Sequence, residues 1–196
     1  MKIGVLAIQG DVREHLRHTQ RAGAEAVEVR LPRDLDGTDG LIIPGGESTT
    51  IGMLMQEYGL IDAIQARAAA SSYPIYGTCA GLILMAKNVI GKSPARLGLM
   101  DIDASRNAYG RQIASFEVPL DVPALGGMPF PAVFIRAPKI QRMGEGVTAL
   151  ASHDGEVVMA EQGPYLVSSF HPEMSEDIRI HQYFLEKVEK LLRVRQ

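Results

Sequence analysis

Cys79 is the only cysteine among 196 residues, and it sits in Tyr76-Gly77-Thr78-Cys79-Ala80-Gly81 between a short apolar run and a helical pattern. That order predicts a strand-to-helix turn that lifts the thiol out of the backbone path and aims helix N–H groups at the sulfur, favouring the thiolate that attacks carbonyl carbon. The flanking glycines permit the turn. A free cysteine more often packs as a small hydrophobe, so the thiol needs partners elsewhere in the chain. Phe170-His171-Pro172-Glu173 offers them. His171 is a candidate to take or hold the thiol's proton, and its imidazole must in turn be oriented by an acceptor. Pro172 forces an extended or turning backbone, so the i, i+2 relation can bring the Glu173 carboxylate onto the ring. Taken alone, His-Pro-Glu reads as a surface turn.

Attack on an amide creates a tetrahedral oxyanion, which needs donors fixed before reaction. The natural pair is the backbone N–H of Ala80, just after the nucleophile, and that of Gly46, in a glycine loop that allows close approach. The other histidines are weaker candidates. His15 and His18 fall on a predicted helix, His153 precedes an Asp154-Gly155 hairpin turn, and His181 lies in the last helical segment. No histidine or acid shows metal-ligand spacing such as His-Glu-x-x-His, so neither a metal nor an organic cofactor is expected.

Alternating short apolar runs and helical periodicity must position these groups, a pattern expected of parallel strands with helices on both faces. Residues 2–9 form the first run. Asp11 and Glu14 are spaced like a capping box for a helix through Val12, Leu16 and Thr19, with Gly23 as its stop. Ala26 to Arg30 reads as a second strand and Gly40 to Ile43 as a third, ended by Pro44-Gly45-Gly46. Ser48 is the predicted cap of the next helix. Leu60, Ile61, Ile64 and Ala68 share a helical face, and Pro74 marks entry to the strand that leads into Cys79. Residues 97–166 read as extra strands, several antiparallel. A final helix carries Ser175, Glu176 and Asp177 at its start and Ile180, Phe184, Val188 and Leu191 on one face. In such sheets ligands gather beyond the carboxyl ends of the strands, where Gly45-Gly46 and Cys79 would both lie.

The chain, 46% hydrophobic, is long enough for one well-filled core, and residues 1–196 read as a single domain without repeats or linkers. Only residues 122–131, rich in Gly and Pro, suggest an exposed loop. A net charge of −3 without a basic bias argues against nucleic acid. Lys187, Lys190, Arg193 and Arg195 instead suit a helix C-terminus. The apolar start is interrupted by Gln9, Asp11 and Arg13, too early for a secretory signal, and no run is long enough to cross a bilayer. With one cysteine, no internal disulfide forms. The expectation is a soluble cytoplasmic protein.

Pro44-Gly45-Gly46-Glu47-Ser48, Gly77-Thr78-Cys79-Ala80-Gly81 and His171-Pro172-Glu173, in this order, resemble the class I, triad-type glutamine amidotransferases. Within them, the chain is similar to the glutaminase subunits of pyridoxal 5′-phosphate synthases. That narrower likeness rests on residues 7–15, Glu47-Ser48-Thr49-Thr50, residues 106–112 (Arg106 to Gln112) and Phe134-Ile135-Arg136-Ala137-Pro138. The resemblance implies a flavodoxin-like three-layer α/β sandwich, with a mixed, mostly parallel sheet and additional antiparallel strands. It also implies hydrolysis of L-glutamine to glutamate and ammonia through a thioester, with Cys79 as nucleophile, His171 as acid and base, and Glu173 as its orienter. Gly46, Glu47, Ser48, Arg106, Ile135 and Arg136 would bind the substrate. The implied partner is a (β/α)₈-barrel synthase subunit in a large hetero-oligomer, which accepts the ammonia; Gln9, Asp11, Arg13 and His15 are candidate contacts with it and help order the oxyanion loop.

Three alternatives stand beside this reading. Another ammonia-channelling synthase subunit would share the triad, a cysteine peptidase of related fold would also place its thiol on an elbow, and an inactive interaction module would bury Cys79. Acceptor assays, peptide cleavage and alkylation by a glutamine analogue separate them.

Overall fold

Apolar on both faces, the runs Lys2–Leu6 (β1), Gly40–Ile43 (β3) and Ile75–Thr78 (β4) become parallel strands buried on both sides. The computed structural model describes residues 1–106 and 115–194. Between and after those strands come α1 (Val12–Arg21), β2 (Glu25–Val29), α2 (Ser48–Glu57), α3 (Leu60–Ser71), α4 (Ala80–Met85), β5 (Ala86–Ile90) and β6 (Met100–Ser105). The second half supplies β7 (Ser115–Leu120), β8 (Phe130–Ile135), β9 (Lys139–Met143), β10 (Thr148–His153), β11 (Glu156–Gln162), β12 (Tyr165–Ser168) and α5 (Arg179–Val194).

Among the described residues, the main sheet has seven strands in the order β10-β11-β12-β4-β3-β1-β2. The five from β12 to β2 run parallel, and β10 and β11 extend the sheet antiparallel. Period-two alternation divides the core. Leu41 and Ile43 pack with Ile51 and Met55 of α2 and Leu60 and Ile64 of α3, whereas Ile42 faces the opposite layer with Phe184 and Val188 of α5. The small sheet β5-β6-β9 adds to the first layer through Met100 and Ile102, and the hairpin β7-β8 to the second through Phe130 and Phe134. This is the three-layer architecture the sequence implied. No helix among the described residues is long and apolar enough to cross a membrane.

Several local expectations need correction. The first strand stops at Leu6, freeing Gln9 to Asp11 for a loop at its carboxyl end. Asp11 does occupy the N-cap position of α1 but makes no side-chain cap bond, because its carboxylate turns toward His171. The cap of α2 is Glu47, not Ser48: its carboxylate accepts the N–H groups of Thr49 and Thr50 at 3.1 and 2.7 Å, which leaves Ser48 buried as the first helical residue. The helix after Cys79 is a short one and gives way directly to β5. Within the supposed loop 122–131, Val122 and Phe130 are core residues. Arg179 ties this segment down by donating to the carbonyls of Gly126, Met128 and Pro129. Of the C-terminal basic residues, Arg193 lies in the last turn of α5 as expected and also pairs with Glu189, whereas Lys187 pairs with Glu161 of β11; Arg195 lies outside the described residues.

Candidate active site

Six strand ends converge. At or just beyond the carboxyl ends of β1, β3, β4, β6, β8 and β12 lie Gln9 to Asp11, Gly45 to Ser48, Cys79, Arg106, Ile135-Arg136 and His171 to Glu173. A cavity of about 350 Å³ is lined there by Gln9, Asp11, Gly46, Glu47, Ser48, Cys79, Ala80, Ile83, Arg106, Ile135, Arg136 and His171. All six predicted substrate-binding positions and both predicted oxyanion donors are therefore on its wall.

Cys79 is held at φ +46° and ψ −98°, a strained conformation for a residue with a Cβ. Close packing forces it. A Cβ on Gly77 would stand 2.6 Å from the Gly81 carbonyl carbon, and one on Gly81 would stand 2.3 Å from Ile43 O, so only glycines let the elbow press into the sheet. The Cys79 N–H donates to Ser168 O at 2.8 Å, fastening the elbow to the end of β12. Ala80 opens α4, so its N–H lacks an intrahelical acceptor and remains available to an anion.

His171 is fixed from several directions. Its backbone N–H donates to Val133 O at 2.8 Å, tying it to β8. Upstream, Tyr76 donates its hydroxyl to Ser168 Oγ at 2.9 Å, and Ser168 donates to Phe170 O at 3.1 Å, which shapes the turn. Its Nδ1 stands 2.8 Å from Glu173 Oε1 and 3.2 Å from Asp11 Oδ2. Burial disfavours a charged ring here, but hydrogen bonding with Asp11, Cys79 and Glu173 outweighs it, and the imidazole is pushed up to about 12. Burial pushes the Glu173 carboxyl upward against the pull of His171. Gly45 is the residue that lets the glycine loop reach this ring, since a Cβ there would meet His171 Cε1 at 2.3 Å.

That loop is clamped from below. Asp11 N–H donates to Gly45 O at 3.1 Å, and Glu47 N–H donates to Gln9 Oε1 at 2.8 Å. Because the peptide is planar and trans, anchoring the Gly45 carbonyl toward Asp11 directs the Gly46 N–H the opposite way. On the far wall Arg106 donates to Glu47 Oε1 at 2.9 Å and to Thr49 Oγ1 at 3.0 Å. Burial pushes the Glu47 carboxyl up, but the hydrogen bonds from Thr49 and Thr50 together outweigh it and hold it down at about 2, so this wall carries a fixed anion beside a guanidinium. Residues 107–112 of the same sequence motif lie outside the described residues. Asp11, His171 and Glu173 do bring ligand-capable atoms within 4.8 Å of one another, but the imidazole nitrogen involved is the Nδ1 already spanned by the two carboxylates. A metal would have to displace that proton.

Residues 5–190 match the model of the SNO glutamine amidotransferase family. The chain belongs to that family. A pyridoxal 5′-phosphate synthase subunit PdxT from Brevibacillus brevis is 53% identical over 97% of this chain and 98% of its own length. The PdxT of Pelotomaculum thermopropionicum is 52% identical over 95% of each chain. A crystal structure described as a glutamine amidotransferase superposes with a TM-score of 0.91 at 50% identity, covering 95% of this chain and 98% of that one.

In this glutamine amidotransferase the four sequence-predicted partner contacts divide. Arg13 is exposed, and Gln9 and Asp11 face the cavity. His15 is the correction. It is fully buried, with its ring nitrogens 3.0 Å from His181 Nε2 and 3.1 Å from Thr78 Oγ1, so its side chain cannot touch another subunit. It lies instead directly behind Glu173. Sequence reasoning also missed Asp11 as a second carboxylate on His171. A signal for the first miss existed: His15, His18 and Thr19 occupy i, i+3 and i+4 on the face of α1 that should be apolar.

Proposed function

We propose that this chain hydrolyses L-glutamine to glutamate and ammonia through a thioester on Cys79, and that it supplies the ammonia to a synthase subunit that builds pyridoxal 5′-phosphate. The observation that carries the reading is the 2.8 Å contact between His171 Nδ1 and Glu173 Oε1, on a ring that shares one cavity with Cys79. His171 is thereby oriented to hold the proton given up by the thiol. The Cys79 sulfur attacks the side-chain carboxamide carbon, and the oxyanion is met by the N–H groups of Ala80 and Gly46. Collapse breaks the C–N bond, His171 hands its proton to the departing nitrogen, and ammonia leaves a thioester. The same ring then takes a proton from water, which attacks the thioester and releases glutamate and the thiol.

The substrate's zwitterionic end suits the opposite wall. Glu47 provides an anion for the α-ammonium and Arg106 a cation for the α-carboxylate, while Ser48, Ile135 and Arg136 close the sides. The Cys79 Sγ lies 3.9 Å from Ile135 O, consistent with a narrow slot for an unbranched side chain.

The partner assignment draws on the two PdxT relatives, each named as a subunit of pyridoxal 5′-phosphate synthase. The partner is a (β/α)₈-barrel subunit in a large hetero-oligomer. Docking acts on the segment Gln9 to Arg13, whose hydrogen bonds to the glycine loop would carry the effect to the Gly46 N–H. Glutamate release measured with and without the barrel subunit tests this. Stimulation by the barrel supports it; full activity of the isolated chain would remove the docking step, and no glutaminase activity in either case would remove the reading itself.

A further inference from the structure

Behind the triad lies a closed group of buried rings. His15 is fully buried, His181 is 1% exposed and His18 is 3% exposed. His15 Nδ1 stands 3.0 Å from His181 Nε2, while His15 Nε2 stands 3.1 Å from Thr78 Oγ1 and 3.3 Å from Glu173 Oε2. Burial, with the neighbouring histidines adding to it, holds both His15 and His181 well below their ordinary value, so both are neutral.

Each neutral ring carries one N–H, and the surroundings decide where. If His15 donated through Nδ1 to His181 Nε2, the His181 proton would sit on Nδ1, which is buried and has no hydrogen-bond partner. The same arrangement would turn a bare His15 Nε2 lone pair against the Glu173 carboxylate. An orphaned buried donor and a lone pair facing an anion are both costly. The opposite arrangement avoids both: His181 Nε2–H donates to His15 Nδ1, and His15 presents Nε2–H toward Thr78 Oγ1 and Glu173 Oε2. Glu173 Oε2 is itself buried without a full hydrogen bond, since the His15 contact falls off the N–H direction.

Resting on the functional reading above, we propose that His15 is a positioning residue for the Glu173–His171 pair. Its Nε2–H is shared between Thr78 and the outer oxygen of Glu173, and it holds that carboxylate in line with His171 when the ring is an imidazolium. The groups facing the pair are His171 and Asp11 on the cavity side, Tyr76 of β4, Glu173's own backbone N–H, and His15, His18 and His181 behind it; of these side chains it is His15 whose nitrogen stands against the outer oxygen, at 3.3 Å.

The test uses the chain together with its barrel subunit. Wild-type glutaminase activity is measured first, and its absence would count against the functional reading rather than against His15. His15→Ala is expected to lower kcat about tenfold, the low end for loss of an orienting partner, with KM unchanged. The acid limb of the kcat profile should move to higher pH, because Glu173 loses a donor to its charged form. His15→Gln, whose amide N–H₂ can reach the same oxygen, should recover most of the rate and return the limb. Wild-type kcat and an unmoved limb in His15→Ala would overturn the proposal, as would a rate loss that Gln fails to rescue. If either variant fails to fold, ¹⁵N-histidine spectra of the wild-type chain decide independently: a proton on His15 Nε2 is expected, and a proton on Nδ1 would overturn it.

Discussion

Two carboxylates on one imidazole nitrogen set the chemistry of His171. Glu173 is fully buried and Asp11 is partly open to the cavity, so they have separable effects. Replacing Asp11 by Asn removes a charge while keeping the shape, and the His171 ring, now near 12, should titrate at lower pH. An NMR titration of the ring nitrogens reads that shift directly; an unchanged midpoint would mean that Asp11 does not act on the ring. Glu173→Gln deprives Nδ1 of its oriented anion, and a fall in kcat on the order of 10²-fold or more is expected with little change in KM. Gly45→Ala should damage the reaction through the ring itself, since the new Cβ would overlap His171 Cε1 at 2.3 Å; kcat should drop, and because that buried ring is held in place the urea midpoint should fall with it. The three central side chains were legible in the sequence, because a lone cysteine between glycines and a His-x-Glu turn are local signals. Asp11 and His15 were not. Asp11 imitates a helix cap in sequence, and only the fold reveals that its carboxylate is turned to another strand's loop. His15 reads as one more helical histidine until β4 and α5 are packed against it.

The elements that carry these residues are short and depend on close backbone approach. The elbow between β4 and α4 is seated by Gly77 and Gly81, and a Cβ at position 81 would stand 2.3 Å from Ile43 O. Because that neighbour is backbone in the central sheet, Gly81→Ala cannot be absorbed by a side-chain movement. A loss of about 1–3 kcal/mol in unfolding free energy is expected, with reduced reactivity of Cys79 toward a glutamine analogue. Urea titration and alkylation rates measure the two effects, and an unperturbed variant would contradict the packing account. The parallel strands β1, β3 and β4 were readable as continuous apolar runs, and their turns by Pro44-Gly45-Gly46 and Gly77. The start of α2 was not: Ser48 has the better capping chemistry in sequence, but burial of Ser48 and the reach of Glu47 to the N–H groups of Thr49 and Thr50 decide the matter. The Gly- and Pro-rich stretch at 122–131 likewise reads as solvent-exposed until Phe130 is placed in the core against Phe170.

The molecule as a whole stores neutral histidines in its core, and this makes its stability sensitive to acid. His181 is lowered to about 3 by burial and by His18, and His15 is also lowered well below its ordinary value. In the unfolded chain both titrate near pH 6.5, so below that pH the unfolded state binds more protons and stability falls as pH falls. The decline should approach about 1.4 kcal/mol per pH unit for each histidine until the folded-state values are reached. His171 behaves oppositely: its contribution is complete below pH 6.5 and fades only as pH rises toward about 12. Urea unfolding between about pH 6.5 and 5, where the His171 contribution is already close to complete, checks the sign, and a stability that is flat or rises on acidification over that window would contradict it. The sandwich fold was visible in the alternation of strands and helices, whereas the histidine cluster, assembled from α1 and α5 at opposite ends of the chain, exists only in the folded molecule.

Glutamine labelled with ¹⁵N at its amide, supplied to the chain together with the proposed synthase subunit, tests the central claim most directly. Label is expected in the pyridine ring nitrogen of the product, and Cys79→Ala should abolish that transfer while leaving added ammonium usable. Labelled ring formed from glutamine by the Cys79→Ala chain, or no label transferred by the wild type, would contradict the account.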